Sequence, residues 1–580
     1  MEIKKTIFVA TLLLWATTAM AQFNSNWANA IGVDNFPDEG NSVKCDATGN
    51  VYIAGDFAGI NVDFGGAHLN SSHGAQDIFF AKYNSNGVCQ WAHGIGGGTD
   101  DVGESIAIDA SGNVFICGHF TSDTVDFDPG VGVANLTTSG NWTIFVAKYD
   151  MNGNYLWAFE IPSPGGPCDA HSLALDNSGN VFVTGFFQLT CNFDPAGTAN
   201  VTSNGGYDIF FAKYTNNGTF QWVKNFGSAG IGTIQDAYSI ALDAAGNIFL
   251  TGYITGTSNL DPAGTHNFTS NGAGDIFIAK YNSSGIYQWA GTFGSTTAYD
   301  EQGMGICTDI SGNVYITGSF CGTSDFDISP VSTYNITPVA VGDIFIAKYN
   351  SSGVLQWAND IGGCGGIQGN GIATNNSAVY VTGYYQCNPD FDPSASVVTP
   401  SWFGGYDMFL ASYNVSNGNL IDLNGMGDVS GDMGNAIAID NYTGAVVLTG
   451  YFSQTVDFNP TGPSLFLTSA GNSQDVFLAK YNGSDPLSVE TFSASITQNK
   501  ISVYPNPSSD FISYDVLMSA GDLITNRIFD GTGKKVMQTE IFGASGKNNI
   551  KLDLTSLSNG IYLLMVNNKS EQKQVKFIKQ

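Results

Sequence analysis

Two kinds of apolar run alternate along most of this chain, each bounded by Asp, Asn, Ser and Gly. The first ends in a small residue and glycine: VYIAGDF, VFICGHF, VFVTGFF, IFLTGYI, VYITGSF, VYVTGYY and VVLTGYF. The second ends in Tyr, usually as Lys-Tyr, as in DIFFAKY (77–83), DIFIAKY (275–281 and 343–349) and DVFLAKY (475–481). The glycines of the first run are Gly55, Gly118, Gly185, Gly252, Gly318, Gly383 and Gly450, spaced 63, 67, 67, 66, 65 and 67 residues apart. A fixed period of this size marks a repeat architecture. Within the fifth repeat the pattern predicts four strands, MGICTD, NVYITGSF, DIFIAKY and LQWAND. Turns such as DISGN (309–313) and NSSG (350–353) join them, with Asp or Asn opening the turn and Gly supplying positive φ. VYIT and DIFIA are apolar on both faces, as strands of a sheet covered on both sides must be.

The ends of the repeat region predict how it closes. Trp91, Trp157, Trp222, Trp289 and Trp357 mark fourth strands, and Leu420 is expected to take the place of Trp in the sixth copy. The seventh copy has no fourth strand, yet NWANAIG (26–32) stands before the first repeat and matches QWAHGIG (90–96). The orphan fits the vacancy and leaves no sheet edge. The expected fold is all-β: a seven-bladed β-propeller over residues 22–482, closed by the N-terminal strand and followed by a small C-terminal β-sandwich. The D-x-F-x-A-K-Y and T-G strings resemble the β-propeller repeat of large exported bacterial proteins, abbreviated SBBP. That resemblance implies the fold and no particular activity.

Both ends of the chain speak of export. MEIKK is a short basic segment, TIFVATLLLWATTA is apolar, and Ala19-Met20-Ala21 fits a cleavage site before Gln22, so residues 1–21 read as a signal peptide cut between Ala21 and Gln22. After a polar linker (483–500), residues 501–580 form a separate β module. Its strings Tyr504-Pro505-Asn506-Pro507, Gly531-Thr532-Gly533-Lys534 with Val536, Leu557-Ser558-Asn559-Gly560-Ile561-Tyr562 and Lys576-Phe577-Ile578-Lys579 resemble the type A C-terminal sorting domain of the type IX secretion system. The resemblance implies export across both membranes, with the outer-membrane translocon and its surface peptidase as partners. It also implies release from the cell or attachment to surface lipopolysaccharide.

Charge narrows the partners. Residues 22–490 hold 8 lysines, no arginine and 42 acids, a net −34, while residues 491–580 carry +3. So acidic a body repels nucleic acid and anionic lipid, and invites cations. In a four-stranded meander the loops between repeats share a face with the loops between strands two and three, and two acidic series lie there. Asp38-Glu39, Asp101, Asp169, Asp236, Asp300-Glu301 and Asp432, interrupted by Gln368, are expected to ring the channel mouth. Calcium takes oxygen ligands from such loops, so Asp38, Asp101, Asp169, Asp236, Asp300 and Asp432 are candidate calcium ligands. No D-x-D-x-D-G loop accompanies them and no motif requires a cofactor. Asp128, Asp194, Asp261, Asp327, Asp392 and Asn459 form the second series and read as turn openers.

Cys168 with Cys191, and Cys364 with Cys387, stand 23 residues apart around the first two strands of repeats three and six. Each pair is expected to form a disulfide worth roughly 3 kcal/mol. Cys45, Cys117 and Cys307 fall in strands and read as core residues.

No H-E-x-x-H or G-x-S-x-G string occurs, and no catalytic residue is assigned. His171 beside Asp169 is the one suggestive neighbour pair, more readily a satisfied surface histidine than a general base. The near-identity of the repeats speaks against an active site, which breaks its scaffold's symmetry. The favoured function is a non-catalytic surface or secreted binding or adhesion module for glycan or protein. A glycoside hydrolase or lyase, whose paired carboxylates need no local motif, and a purely structural protein remain as alternatives. Phe186, Phe187, Tyr384, Tyr385 and Trp402 read equally as sugar-stacking or rim-packing aromatics.

Overall fold

The computed structural model describes residues 23–483 and 503–579, apart from 34–35, 70–74, 139–141, 164, 231, 364, 376, 505–508, 519–522, 530–534, 543–545 and 568–571. The proposed cleavage site, Ala21 and Gln22, lies outside the described residues. The chain divides into two compact units, Met1–Leu487 and Ser488–Gln580, a boundary inside the expected linker.

The larger unit contains seven four-stranded antiparallel sheets. In sheet one, Glu39–Cys45, Val51–Phe57, Asp77–Tyr83 and Cys89–Ile95 pair in chain order. Sheets two to six repeat that order, starting at Asp101, Cys168, Gln235, Gln302 and Gln368. Sheet seven has Met433–Asp440, Ala445–Phe452 and Asp475–Tyr481 from its own repeat, and its fourth strand is Ser25–Ile31, with Ala28 opposite Ala479. The first strands touch from sheet to sheet, and that of sheet seven touches that of sheet one. The arrangement is propeller-like, with apolar side chains packed between successive sheets.

The repeated letters each answer a local need. Second strands are almost wholly buried, and a Cβ on Gly55 would lie 1.9 Å from the carbonyl oxygen of Glu39. Only glycine fits where the first strand bulges. The threonine of T-G is satisfied in the core: the Thr184, Thr251, Thr317, Thr382 and Thr449 hydroxyls donate to phenylalanine carbonyls of the third strand at 2.7–2.8 Å. In the D-x-S-G-N turn, Asp109 accepts the Ser111 and Asn113 N–H groups at 2.8 and 3.0 Å and the Asn113 amide at 2.8 Å.

Lysine and tryptophan staple neighbouring sheets together. Lys280 Nζ and Trp289 Nε1 both donate to the Ser351 carbonyl of the next sheet, at 2.8 and 3.2 Å. Lys82 and Trp91 do the same to Met151, Lys148 and Trp157 to Asn216, and Lys348 and Trp357 to Val415. At the closing seam, Trp27 and Lys480 lie opposite each other in sheet seven and both donate to Ser85 of sheet one, at 3.1 and 3.4 Å. The strand from the start of the chain therefore makes the same bond as the fourth strands of sheets one, two, four and five, whereas in sheet three Lys213 lies 3.4 Å from Asp176.

The seam of sheet six departs furthest from the rule, and one expectation is corrected by it. In sheet six, Ser412 pairs with Asp422 at the register where Lys348 pairs with Trp357, so Asp422, not Leu420, stands in the tryptophan's place. Leu420 occupies the position of Leu355. The turn that would accept a staple from sheet six is the one joining strands three and four of sheet seven, and there the chain has no such turn. Asp422 instead accepts the N–H of Phe23, where the N-terminal strand arrives.

In the smaller unit, a four-stranded sheet (Lys535–Phe542, Leu523–Phe529, Gly560–Asn567, Gln572–Lys579) and a strand pair (Phe511–Met518, Gly546–Asp553) share one apolar core that includes Ile512, Tyr514, Ile528, Leu552 and Phe577.

Candidate functional site: the inner wall of the first strands

Each first strand opens antiparallel to the residue that follows the repeat's glycine. The resulting pairs are Glu39–Asp56, Val102–His119, Asp169–Phe186, Asp236–Tyr253, Gln302–Ser319, Gln368–Tyr384 and Met433–Tyr451. A bulge one or two residues later leaves Asn41, Glu104, His171, Tyr238, Met304, Asn370 and Asn435 out of register. These side chains reach across the seams between first strands. His119 of sheet two lies 3.0 Å from Asp169 of sheet three, and His171 of sheet three lies 3.1 Å from Asp236 of sheet four. Gln368 of sheet six donates to Gln302 of sheet five at 3.2 Å.

The wall has two unlike halves. Sheets one to four contribute Glu39, Asp56, Glu104, His119, Asp169, His171 and Asp236, whereas the same positions in sheets five to seven hold only Gln, Ser, Met, Asn and Tyr. Electrostatics follow. Burial lifts the Asp56 carboxyl far above the usual range, and Glu39 beside it adds to the effect. Burial, reinforced by Asp169, brings Glu104 to about 7. Burial alone would raise Asp169 and lower His171. The imidazoles of His119 and His171 instead hold the Asp169 carboxyl below its usual range. Asp236 and Asp169 in turn carry His171 up to about 10. Aromatic rings back the charged half: His119 stacks on Trp142 at 4.2 Å, and His171 contacts Phe186 and Tyr238 at 5.6 and 5.4 Å.

The six carboxylates expected to hold calcium do not form one ring. They divide among three registers, because the repeats offset them by a residue in either direction. Asp38, Asp101 and Asp432 stand one position before the wall and are buried caps: Asp38 accepts the Ala58 N–H at 2.8 Å, Asp101 that of Thr121 at 3.0 Å, and Asp432 that of Ser453 at 2.8 Å. In sheet five Glu301 fills this role, accepting from Ser295 and Cys321 at 2.6 and 2.9 Å, so Asp300 lies outside it. Only Asp169 and Asp236 reach the wall. The second series behaves as turn openers: Asp128, Asp194, Asp261, Asp327 and Asp392 each accept an N–H two residues on, at 2.8–3.1 Å.

The Cys168–Cys191 disulfide is also corrected. Both are buried free thiols in contact with each other, and the Cys168 thiol donates to the Trp142 carbonyl at 3.2 Å. Cys168 occupies the position where other repeats carry a capping carboxylate, so its thiol takes on hydrogen bonding within the loop. Cys387 is disulfide-bonded, and Cys364 lies outside the described residues. Of the aromatics singled out, Phe187 and Tyr385 are core, Phe186 backs His171, and Tyr384 meets Tyr406 at 5.0 Å. Trp402 is exposed, as are Phe403 and Tyr406 in the same loop.

In the C-terminal unit, Tyr504 pairs with Ser513 and its hydroxyl meets Asn549 at 2.6 Å. Asn559 and Gly560 lead into a strand through Ile561 and Tyr562, and the Tyr562 hydroxyl donates to the Ser558 carbonyl at 2.7 Å. Pro505, Asn506, Pro507, Gly533 and Lys534 lie outside the described residues. Residues 502–580 match the family model of the secretion system C-terminal sorting domain. The chain carries a sorting domain. That domain implies export through the type IX secretion system to the cell surface or beyond it. Among the described residues, no helix is long and apolar enough to cross a membrane.

The chain has more distant relatives as well. It is 26% identical over 476 residues to an uncharacterized WD repeat-containing protein of Acanthamoeba polyphaga mimivirus, covering 68% of this chain and 33% of that one. It is 25% identical over 198 residues to the regulatory protein FlaEY of Caulobacter vibrioides, covering 33% and 20%. The chain thus spans a third or less of the length of these curated relatives. Among solved structures, the mitotic checkpoint complex aligns at TM-score 0.38 and 9% identity, over 84% of this chain and 99% of that one. A family 43 arabinoxylan arabinofuranohydrolase of Bacillus subtilis aligns at TM-score 0.24 and 14% identity, over 82% and 94%.

Sequence reasoning singled out His171 and Asp169 but missed Glu104, His119 and Asp56. A signal for them exists: aligned on their glycines, the repeats carry Asp56, His119, Phe186, Tyr253, Ser319, Tyr384 and Tyr451 at the next position, the least repetitive column beside the most repetitive one.

Proposed function

We propose that this chain is an exported seven-bladed β-propeller of the SBBP type, closed by its N-terminal strand, that binds a carbohydrate at the cell surface or outside the cell. The small C-terminal unit is read as a β-sandwich recognised by the translocon, and residues 1–21 as the signal peptide for the first step of export. Cleavage by a surface peptidase, with release or attachment to lipopolysaccharide, follows from that reading.

The observation that carries carbohydrate binding is the loop of sheet six, where Trp402, Phe403 and Tyr406 are all exposed and Tyr406 meets Tyr384. Exposed aromatics held on a rigid scaffold suit the apolar face of a sugar ring. A glycan array probed with the full-length chain, with calcium and again with chelator, tests this. Binding to one sugar class that Trp402→Ala and Tyr406→Ala abolish supports the reading. Absence of binding under both conditions sinks it and moves weight to a protein partner or a structural role.

A catalytic reading has one specific observation in its favour. The wall breaks the repeat symmetry with acids of unlike proton affinity, Glu104 near neutrality and Asp169 ionised, the pattern by which paired carboxylates divide acid and base roles. Release of reducing sugar from bound glycan, lost in Glu104→Gln, would favour it.

A further inference from the structure

Glu104 of sheet two and Asp169 and His171 of sheet three each offer one ligand atom, and the three atoms lie within 4.8 Å of one another. We propose that these three side chains bind one divalent transition-metal ion, of the zinc class rather than calcium, with His119 and Asp236 as supporting groups.

Donor chemistry selects the class. Imidazole with two carboxylates suits zinc and its neighbours, whereas calcium takes oxygen alone. The geometry suits a shared ion. His171 Nδ1 stands 3.7 Å from Asp169 Oδ2, too long for a hydrogen bond. Two ligands on one tetrahedral zinc lie about 3.4 Å apart, given bonds of about 2.1 Å. The other ring nitrogen, Nε2, is 3.1 Å from Asp236 Oδ2, the carboxylate–histidine arrangement that fixes a metal-binding tautomer. His119 Nδ1 stands 3.0 Å from the same Asp169 Oδ2.

The balance of charge around these side chains also favours a cation. Asp236 is only 7% exposed, and its Oδ1 has no hydrogen-bond partner. Three carboxylates, Glu104, Asp169 and Asp236, thus face two imidazoles, and a dication offsets the excess. The competing arrangement is an imidazolium at His171 clamped between Asp169 and Asp236 with no metal. Zinc must displace that proton to bind, because the ligand is neutral imidazole.

The full-length chain, stripped with EDTA and titrated calorimetrically with zinc chloride, tests the proposal. One zinc per chain is expected, with affinity falling about tenfold or more in Glu104→Gln and in His171→Gln. His266→Gln, which removes the half-exposed His266–Asp261 pair (2.9 Å) as a rival site, leaves the titration unchanged. Calcium chloride gives no comparable isotherm. Cobalt(II) added to the unsubstituted chain develops visible ligand-field bands that zinc bleaches, a readout that needs no variant to fold. The proposal is overturned by absence of zinc binding, by zinc binding indifferent to both Glu104→Gln and His171→Gln, or by calcium displacing zinc at equal concentration.

Discussion

The seams and the inner wall of the larger unit are built from the same repeats and have opposite character. Lysine, tryptophan and a turn carbonyl recur at seam after seam, down to the closing one made by Trp27, Lys480 and Ser85. At the wall, one half is a run of acids and imidazoles and the other is neutral. A seam must satisfy the same buried donors wherever it occurs, so its letters are held. The wall has no such obligation, and its letters are free to serve something outside the fold. Near-identity of repeats is thus no argument against a site, because the identity resides in the seams.

The largest effect expected from breaking this comparison is at the closing seam. Deleting residues 23–33 strips the third strand of sheet seven of its partner and leaves the Ser85 carbonyl with Lys480 as its remaining staple donor. Circular dichroism should show loss of a single cooperative melt rather than a modest shift. An internal staple costs less. Trp157→Ala is expected to destabilise by about 3 kcal/mol in a denaturant titration, through lost packing and the loss of one of the two donors to the Asn216 carbonyl. Asp422→Trp at the exempt position in sheet six should gain nothing, there being no turn carbonyl to receive it.

The wall should respond to pH where the seams do not. In the metal-free chain, His171→Gln leaves Asp169 and Asp236 without their counter-charge and is expected to cost about 2 kcal/mol near pH 6. Because His171 holds its proton up to about 10, that cost shrinks as pH rises through about 10. The smallest effect is on the whole chain. Asp38 (about 8), Asp407 and Asp432 (both about 7) have carboxyl groups raised chiefly by burial. The folded state therefore binds their protons more tightly than the unfolded one, and these groups lose stability as pH climbs from the ordinary carboxylate range to about 8. Differential scanning calorimetry should find a Tm several degrees higher at pH 5.5 than at pH 8.5. An unchanged or lower Tm would mean that these carboxylates are solvated or cation-bound.

What was legible in the sequence follows the same division. Strand order, the T-G and D-x-S-G-N punctuation and the orphan NWANAIG strand could be read because each repeats and each has a local cause. The wall could not, because its residues meet only across seams: His119 and Asp169 are fifty positions apart in the chain, and a one-residue offset decides whether an acid caps a turn, as Asp101 does, or faces a neighbour, as Asp169 does. Reading Asp38, Asp101 and Asp432 with Asp169 and Asp236 as one series ignored that offset. Leu420 misses the tryptophan's place for a kindred reason: Tyr413 pairs with Leu420 as Tyr349 pairs with Leu355, across a turn one residue longer, and the tryptophan's register falls two residues on, at Asp422.

The closing strand also sets an order of events. The Ser25 N–H finds its acceptor, Asn459, 434 residues later, so sheet seven cannot be completed until nearly the whole body has emerged. A contact of such sequence separation pays its loop-closure entropy last and slows folding. Until the two ends meet, the third strand of sheet seven keeps an unpaired edge, open to pairing with a strand of another chain.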